Sequence, residues 1–147
     1  MAQGEERKNV LAERLNHLFE TVHPPDRGPY LLREVVDAIN AEAGENLISA
    51  GYLSMLRSGQ RTEPSHSRLA AIARFFGVPV EYFSDDATAE KANRQIEIAA
   101  ALRDSGVRAI ALRSAGLSER SLQAILAMVE SARQLEDLPD DPPAGSA

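Results

Sequence analysis

The chain has 147 residues, of which 44% are hydrophobic and 26% charged, with a net charge of −6. That length can form one medium domain or two small ones around a self-supporting core, and the composition excludes wholesale disorder. The absence of cysteine excludes disulfides, thiolate nucleophiles and cysteine-bound metal.

The opening residues are polar and charged rather than signal-like, and no apolar run approaches the roughly 20 residues of a membrane span. β-branched alternation is scarce, and glycine and proline gather between periodic segments. The chain therefore reads as all-α, soluble and cytoplasmic.

Residues 1–8 are polar and expected to be disordered. From Asn9 the apolar positions Leu11, Leu15, Leu18, Phe19 and Val22 fall on one face of an amphipathic helix. His23-Pro24-Pro25 ends it, because proline removes a donor and restricts the residue before it. Leu32, Val35, Val36 and Ile39 mark a second helix stopping near Gly44. Ser49 caps a short third helix, which carries Leu53 and Leu56 and closes at Gly59. Ser65 opens a fourth with Leu69, Ile72, Ala73 and Phe76, and Tyr82 and Phe83 follow as a lid on the core.

A boundary is expected at Ser84–Thr88. Thr88 or Asp86 would cap a longer helix to about Asp104, interrupted at Gly106. A short helix over Val107–Ser114 follows, then a break at Gly116. Ser118 caps a last helix bearing Leu122, Ile125, Leu126, Val129 and Ala132. The acidic, proline-rich tail over 138–147 is read as disordered.

Charge is unevenly placed. Between Asn46 and Val80 stand four arginines (Arg57, Arg61, Arg68, Arg74) against one acid, Glu63, a local balance of +3. From Gln134 onward there are four acids and no base. A basic face on an acidic body suits a protein that meets a polyanion through one surface, although on charge alone a solvated face is the plainer reading. The third helix lies in that window. With Leu53 and Leu56 turned inward, Ala50, Gly51, Ser54, Met55 and Ser58 remain outside, where a helix can enter a major groove. Arg57 and Arg61 stand where guanidinium groups reach phosphates. Ser49 reads as a cap that can also touch phosphate, and Tyr52 as either a core plug or a DNA contact.

The run Tyr52-Leu53-Ser54-Met55-Leu56-Arg57-Ser58-Gly59-Gln60-Arg61, followed by Pro64 and Leu69-Ala70-Ala71-Ile72-Ala73, resembles the phage-repressor-like (XRE, Cro/CI) helix-turn-helix family. Residues 18–29, 102–108 and 115–118 are similar to its actinobacterial, nucleoid-associated branch, so the likeness spans about Leu11 to Leu138. The resemblance implies an N-terminal helix-turn-helix domain of four to five helices over 9–86. A helical dimerisation domain would follow over 87–137. The protein would be a homodimeric transcriptional regulator binding double-stranded DNA in the nucleoid, with no cofactor. The DNA-binding set would be Ser49, Ala50, Gly51, Tyr52, Ser54, Met55, Arg57, Ser58, Gln60 and Arg61, and the dimer seam Leu122, Ile125, Leu126 and Val129.

Two departures stand out. Many relatives carry Glu where Arg57 stands, paired internally, so Arg57 is expected to be free for phosphate or solvated. The connection Ala43–Ile48 is also longer than the tight turn of phage repressors. Where those repressors carry base-reading Gln or Asn, this chain has Ala50, Gly51 and Met55, which cannot form bidentate bonds to base edges. Low sequence discrimination is expected. His17, His23 and His66 lack metal-ligand spacing, and no nucleophilic triad or phosphate-binding loop is evident, so an enzyme is not expected. The alternatives are an antitoxin or other protein-interaction module on the same fold, and a regulator with a small-molecule pocket among its C-terminal helices.

Overall fold

The computed structural model describes residues 2–139. They form α1 (Ala2–Thr21), α2 (Leu32–Ala43), α3 (Ala50–Ser58), α4 (His66–Phe76), a 3-10 turn (Val80–Phe83), α5 (Asp86–Ala101), α6 (Ser105–Ser114) and α7 (Glu119–Leu135). No strand occurs among the described residues, so the protein is all-α. The chain divides into two compact units, one ending at Glu97 and the other starting at Ile98.

In the first unit the apolar face of α1 is buried at Leu11, Leu15, Leu18 and Phe19. Helix α1 begins at Ala2, within the stretch 1–8 read from sequence as disordered. Glu5, Glu6, Arg7 and Lys8 are good helix formers, and extending a nucleated helix costs little. Against α1 pack Leu53 and Leu56 of α3. Val35, Val36 and Ile39 of α2 and Ile72 and Phe76 of α4 complete the core, with Tyr82 and Phe83 as its lid. Edge-on aromatic pairs join Phe19 to Phe76, Phe76 to Phe75, and Phe75 to Tyr30, with centroids 5.1, 5.0 and 5.3 Å apart. Such pairs add direction to burial that would otherwise be non-specific.

The start of α2 is held by an acid three residues in. Glu34 Oε1 accepts the Leu31 amide at 2.9 Å, and its two oxygens accept the Arg27 guanidinium at 2.6 and 2.7 Å. The Arg27 bonds, and then the Leu31 amide, lower the Glu34 carboxyl to a pKa of about 2. At the other end Gly44 adopts a left-handed φ of 71°, which ends the helix without Cβ strain.

The cap of α5 is Asp85, not Thr88 or Asp86. Its Oδ2 accepts both the amide and the hydroxyl of Thr88, and these bonds hold the Asp85 carboxyl below its usual range. Asp86 instead pairs with Arg14 of α1. The first turns of α5 bury Ala89 and Ala92 in the core, and the Tyr82 hydroxyl donates to Asn93 at 2.7 Å. The first compact unit thus runs past 86, the limit expected, to Glu97. Two buried alanines give too faint an apolar stripe to reveal this from spacing.

In the second unit α5 ends at Ala101 rather than near Asp104. Asp104 itself caps α6, accepting the Val107 amide at 3.0 Å, so Gly106 lies inside the first turn of α6 and interrupts nothing. Arg108 donates back to the carbonyls of Leu102 and Arg103, covering groups that the end of α5 leaves open. Ser118 caps α7 as expected, accepting the Ser121 amide at 3.2 Å. No residue of α6 or α7 is buried. Leu138 and Pro139, placed in the disordered tail by sequence, are tied to α7: the Leu138 amide donates to the Arg133 carbonyl, and Arg133 donates to the Pro139 carbonyl. Residues 140–147 of that tail lie outside the described residues. No described helix is long and apolar enough to cross a membrane.

Candidate nucleic-acid interface

Helix α3 is delimited as its sequence requires. Ser49 is extended (φ −110°, ψ 162°) and its Oγ accepts the Tyr52 amide at 3.0 Å. Gly59 is left-handed at φ 80°, a conformation that excludes most side chains, and the Arg61 amide returns to the Met55 carbonyl at 3.0 Å. Leu53 and Leu56 are buried, which fixes the rotation of the helix and leaves Gly51, Ser54 and Ser58 exposed. Met55 is half-buried, and Ala50, expected on the outer side, packs partly against the core.

Gly51 is open on its outer side, since a Cβ built there would meet nothing within 4 Å. Gly51 stands at the second position of α3, in its first turn, and among the described residues no neighbour requires a glycine there. Ser58 has already used its hydroxyl, which donates to the Met55 carbonyl at 3.2 Å. Ser54 and Gln60 stay exposed.

Two of the residues expected at the interface are engaged within the chain. Arg57 is not free: its Nε donates to Asn16 Oδ1 at 2.8 Å, its carbonyl accepts from Asn16 Nδ2 at 3.0 Å, and its guanidinium lies 4.0 Å from the centroid of Phe19. It latches the end of α3 to α1. No spacing rule links positions 41 residues apart, so the partner was invisible from sequence. Tyr52, left open between plug and contact, is only 8% exposed and belongs to the core. Its ring also carries two guanidinium groups, Arg61 at 4.9 Å and Arg68 at 5.2 Å from the centroid.

The long connection before α3 is braced by residues that sequence reasoning passed over. Asn40 of α2 donates to the Ile48 carbonyl at 2.9 Å and accepts its amide at 3.0 Å. Arg68, at the start of α4, donates through Nε to the Leu47 carbonyl at 2.9 Å. A weak helix former such as Asn inside the second apolar pattern was the available signal for Asn40. Arg68 gave none beyond its charge. The brace fixes the loop backbone beside the start of α3 and frames a cleft of about 220 Å³ lined by Asn46, Leu47, Ile48, Ser49, Tyr52 and Arg68. Nothing acidic lines it. Arg74 faces Glu42 at 3.7 Å with both side chains largely exposed, a pairing worth little.

These elements place one smooth, acid-free helix face beside a pair of ring-supported arginines in the first unit. No protein-family model matches the chain. It is, however, 44% identical over 129 residues to the nucleoid-associated protein EspR of Mycobacterium tuberculosis, in both strain CDC 1551 / Oshkosh and strain H37Rv. The match covers 88% of this chain and 96% of the relative. The chain belongs to the EspR family. Because the match takes in nearly the whole relative, both compact units fall within the likeness.

In the second unit the four positions expected to form a dimer seam share one face of α7. Leu122, Leu126 and Val129 are 42, 43 and 42% exposed, and Ile125 is half-buried. Val107, Ile110 and Leu112 of α6 are also exposed. Among the described residues no three His, Cys, Asp or Glu side chains come together as a metal site would need.

Proposed function

We propose that this chain is a DNA-binding transcriptional regulator of the XRE helix-turn-helix type, acting in the cytoplasm on the nucleoid as a homodimer, and not an enzyme. Helix α3 is the element that enters the major groove, and the latch to α1 with the brace from Asn40 sets its angle. The observation that carries the reading is the outer face of α3. It presents Gly51, Ser54 and the edge of Met55, carries no acid, and exposes a glycine that no neighbour among the described residues requires. An outside surface approaching the backbone at Gly51 accounts for that glycine. The relatives, named as nucleoid-associated, support the same reading.

That face reads sequence weakly. None of Ala50, Gly51 and Met55 forms a bidentate bond to a base edge, and each absent pair removes roughly 1–3 kcal/mol of discrimination. Met55 can touch a thymine methyl group, and the rest of the selectivity comes from duplex shape and from two linked heads. Dimerisation through Leu122, Ile125, Leu126 and Val129 supplies those heads. The test is competition between selected and random duplexes at fixed salt. A degenerate motif with a modest preference is expected, whereas a preference above about 10⁴, mid-range for specific binders, would overturn the sequence-tolerant reading.

A further inference from the structure

Of the four arginines in the basic window, the structure engages Arg57 with Asn16 and sets Arg74 near Glu42. Arg61 and Arg68 have no carboxylate partner among the described residues, yet both are placed. Each guanidinium lies about 5 Å from the centre of the same ring, that of Tyr52, and Arg68 is further fixed through Nε to the Leu47 carbonyl. Arg61 comes from the segment that joins α3 to α4 and Arg68 from the first turn of α4, and they meet at the ring of Tyr52.

We propose that Tyr52 holds Arg61 and Arg68 as a paired clamp for two backbone phosphates of duplex DNA, and that Arg57 takes no part in it. This rests on the DNA-binding reading above and names the groups that carry its electrostatics. An arginine lying on an aromatic ring keeps its guanidinium edge free for anions, and it has already given up the side-chain disorder that binding would otherwise remove. Using Nε for Leu47 leaves the terminal nitrogens of Arg68, the ones suited to a phosphate, without a bond to a carbonyl or carboxylate among the described residues. The clamp borders the open face of α3, where Ser49, Tyr52 and Arg68 line one cleft. Tyr52 is here a positioning residue that never touches DNA, which agrees with its burial.

The experiment measures binding of the full chain to a labelled mixed-sequence duplex as salt rises. Each neutralised phosphate adds about 0.9 to the log–log slope, so removing one arginine of the clamp should reduce the fall in affinity between about 50 and 200 mM salt by about 3.5-fold. Arg61→Ala and Arg68→Ala should each show that change, and the double variant about 12-fold. Arg57→Ala should keep the wild-type slope even where its affinity drops. Tyr52→Leu should flatten the slope although both arginines remain, and Tyr52→Phe, which restores the ring, should recover it. Melting curves identify any variant that fails to fold. An unchanged slope in folded Arg61→Ala/Arg68→Ala, or a flattened slope in Arg57→Ala, would overturn the clamp while leaving DNA binding intact. A wild-type chain that binds no duplex would overturn the regulatory reading itself.

Discussion

The latch between Asn16 and Arg57 can be tested by its energetics. Replacing Arg57 with Ala removes one half-buried, charge-assisted hydrogen bond to Asn16 and the packing of the guanidinium on the buried Phe19. Deleting a hydrogen bond to a charged group costs about 1.5–3 kcal/mol, and deleting a cation–π interaction at a partly exposed site about 0.5–1 kcal/mol. The sum is about 2 kcal/mol at its lower end. For a domain the size of the first unit each kcal/mol moves Tm by about 4–8 °C, so Arg57→Ala should melt about 8–16 °C lower. Asn16→Ala should cost a similar amount, because it removes the same bond and the one to the Arg57 carbonyl. The decisive measurement is the double variant. The two substitutions delete a shared bond, so together they should fall short of additivity by about 1.5 kcal/mol. Thermal melts and urea titrations of the four proteins give the cycle. Additive losses, or an Arg57→Ala protein that melts with the wild type, would refute the latch.

A second prediction concerns the α7 seam. Leu126→Asp with Val129→Asp would put unpaired carboxylates into the proposed dimer interface, so sedimentation should show a dimer for the wild type and a monomer for the variant, with weaker DNA binding; a double variant that stays dimeric would move the interface elsewhere. The third concerns acid. Glu34 has its carboxyl lowered from 4.5 to about 2 in the folded chain, so the ionised form stabilises the fold above the higher value and that contribution is lost as pH falls through the lower. The Tm gap between wild type and Glu34→Gln, present at neutral pH, should therefore close as pH drops from about 4.5 to about 2, and a gap independent of pH would contradict the assignment.

Much of the first unit was legible because its signals are local. Leu11, Leu15, Leu18 and Phe19 announce a buried face by spacing alone, and Ser49, Ser65 and Ser118 announce caps that the structure contains. Where two neighbouring residues could serve, spacing did not choose: Asp85 caps α5 because its oxygen reaches Thr88, while Asp86 is drawn to Arg14. Asp104 likewise starts a helix where Gly106 suggested a break. What remained hidden depends on interactions across the chain. The partner of Arg57 lies on the first helix, and the brace of the α2–α3 connection comes from Asn40 and Arg68. An arginine between an amide and an aromatic ring reads in one dimension like any solvated charge.

The second unit has a consequence for how the protein would behave in a cell. Ordering backbone costs roughly 1–2 kcal/mol per residue, and no side chain of α6 or α7 is fully buried to offset it. In the homodimer proposed here the compensation comes from another copy, which makes it a function of how many copies are present. On that reading the first unit, which carries its own core, would be competent to bind DNA at any abundance, while the second, proposed to link the heads, would be completed only as the protein accumulates. Gene dosage would then set not merely how many sites are filled but whether two of them are joined.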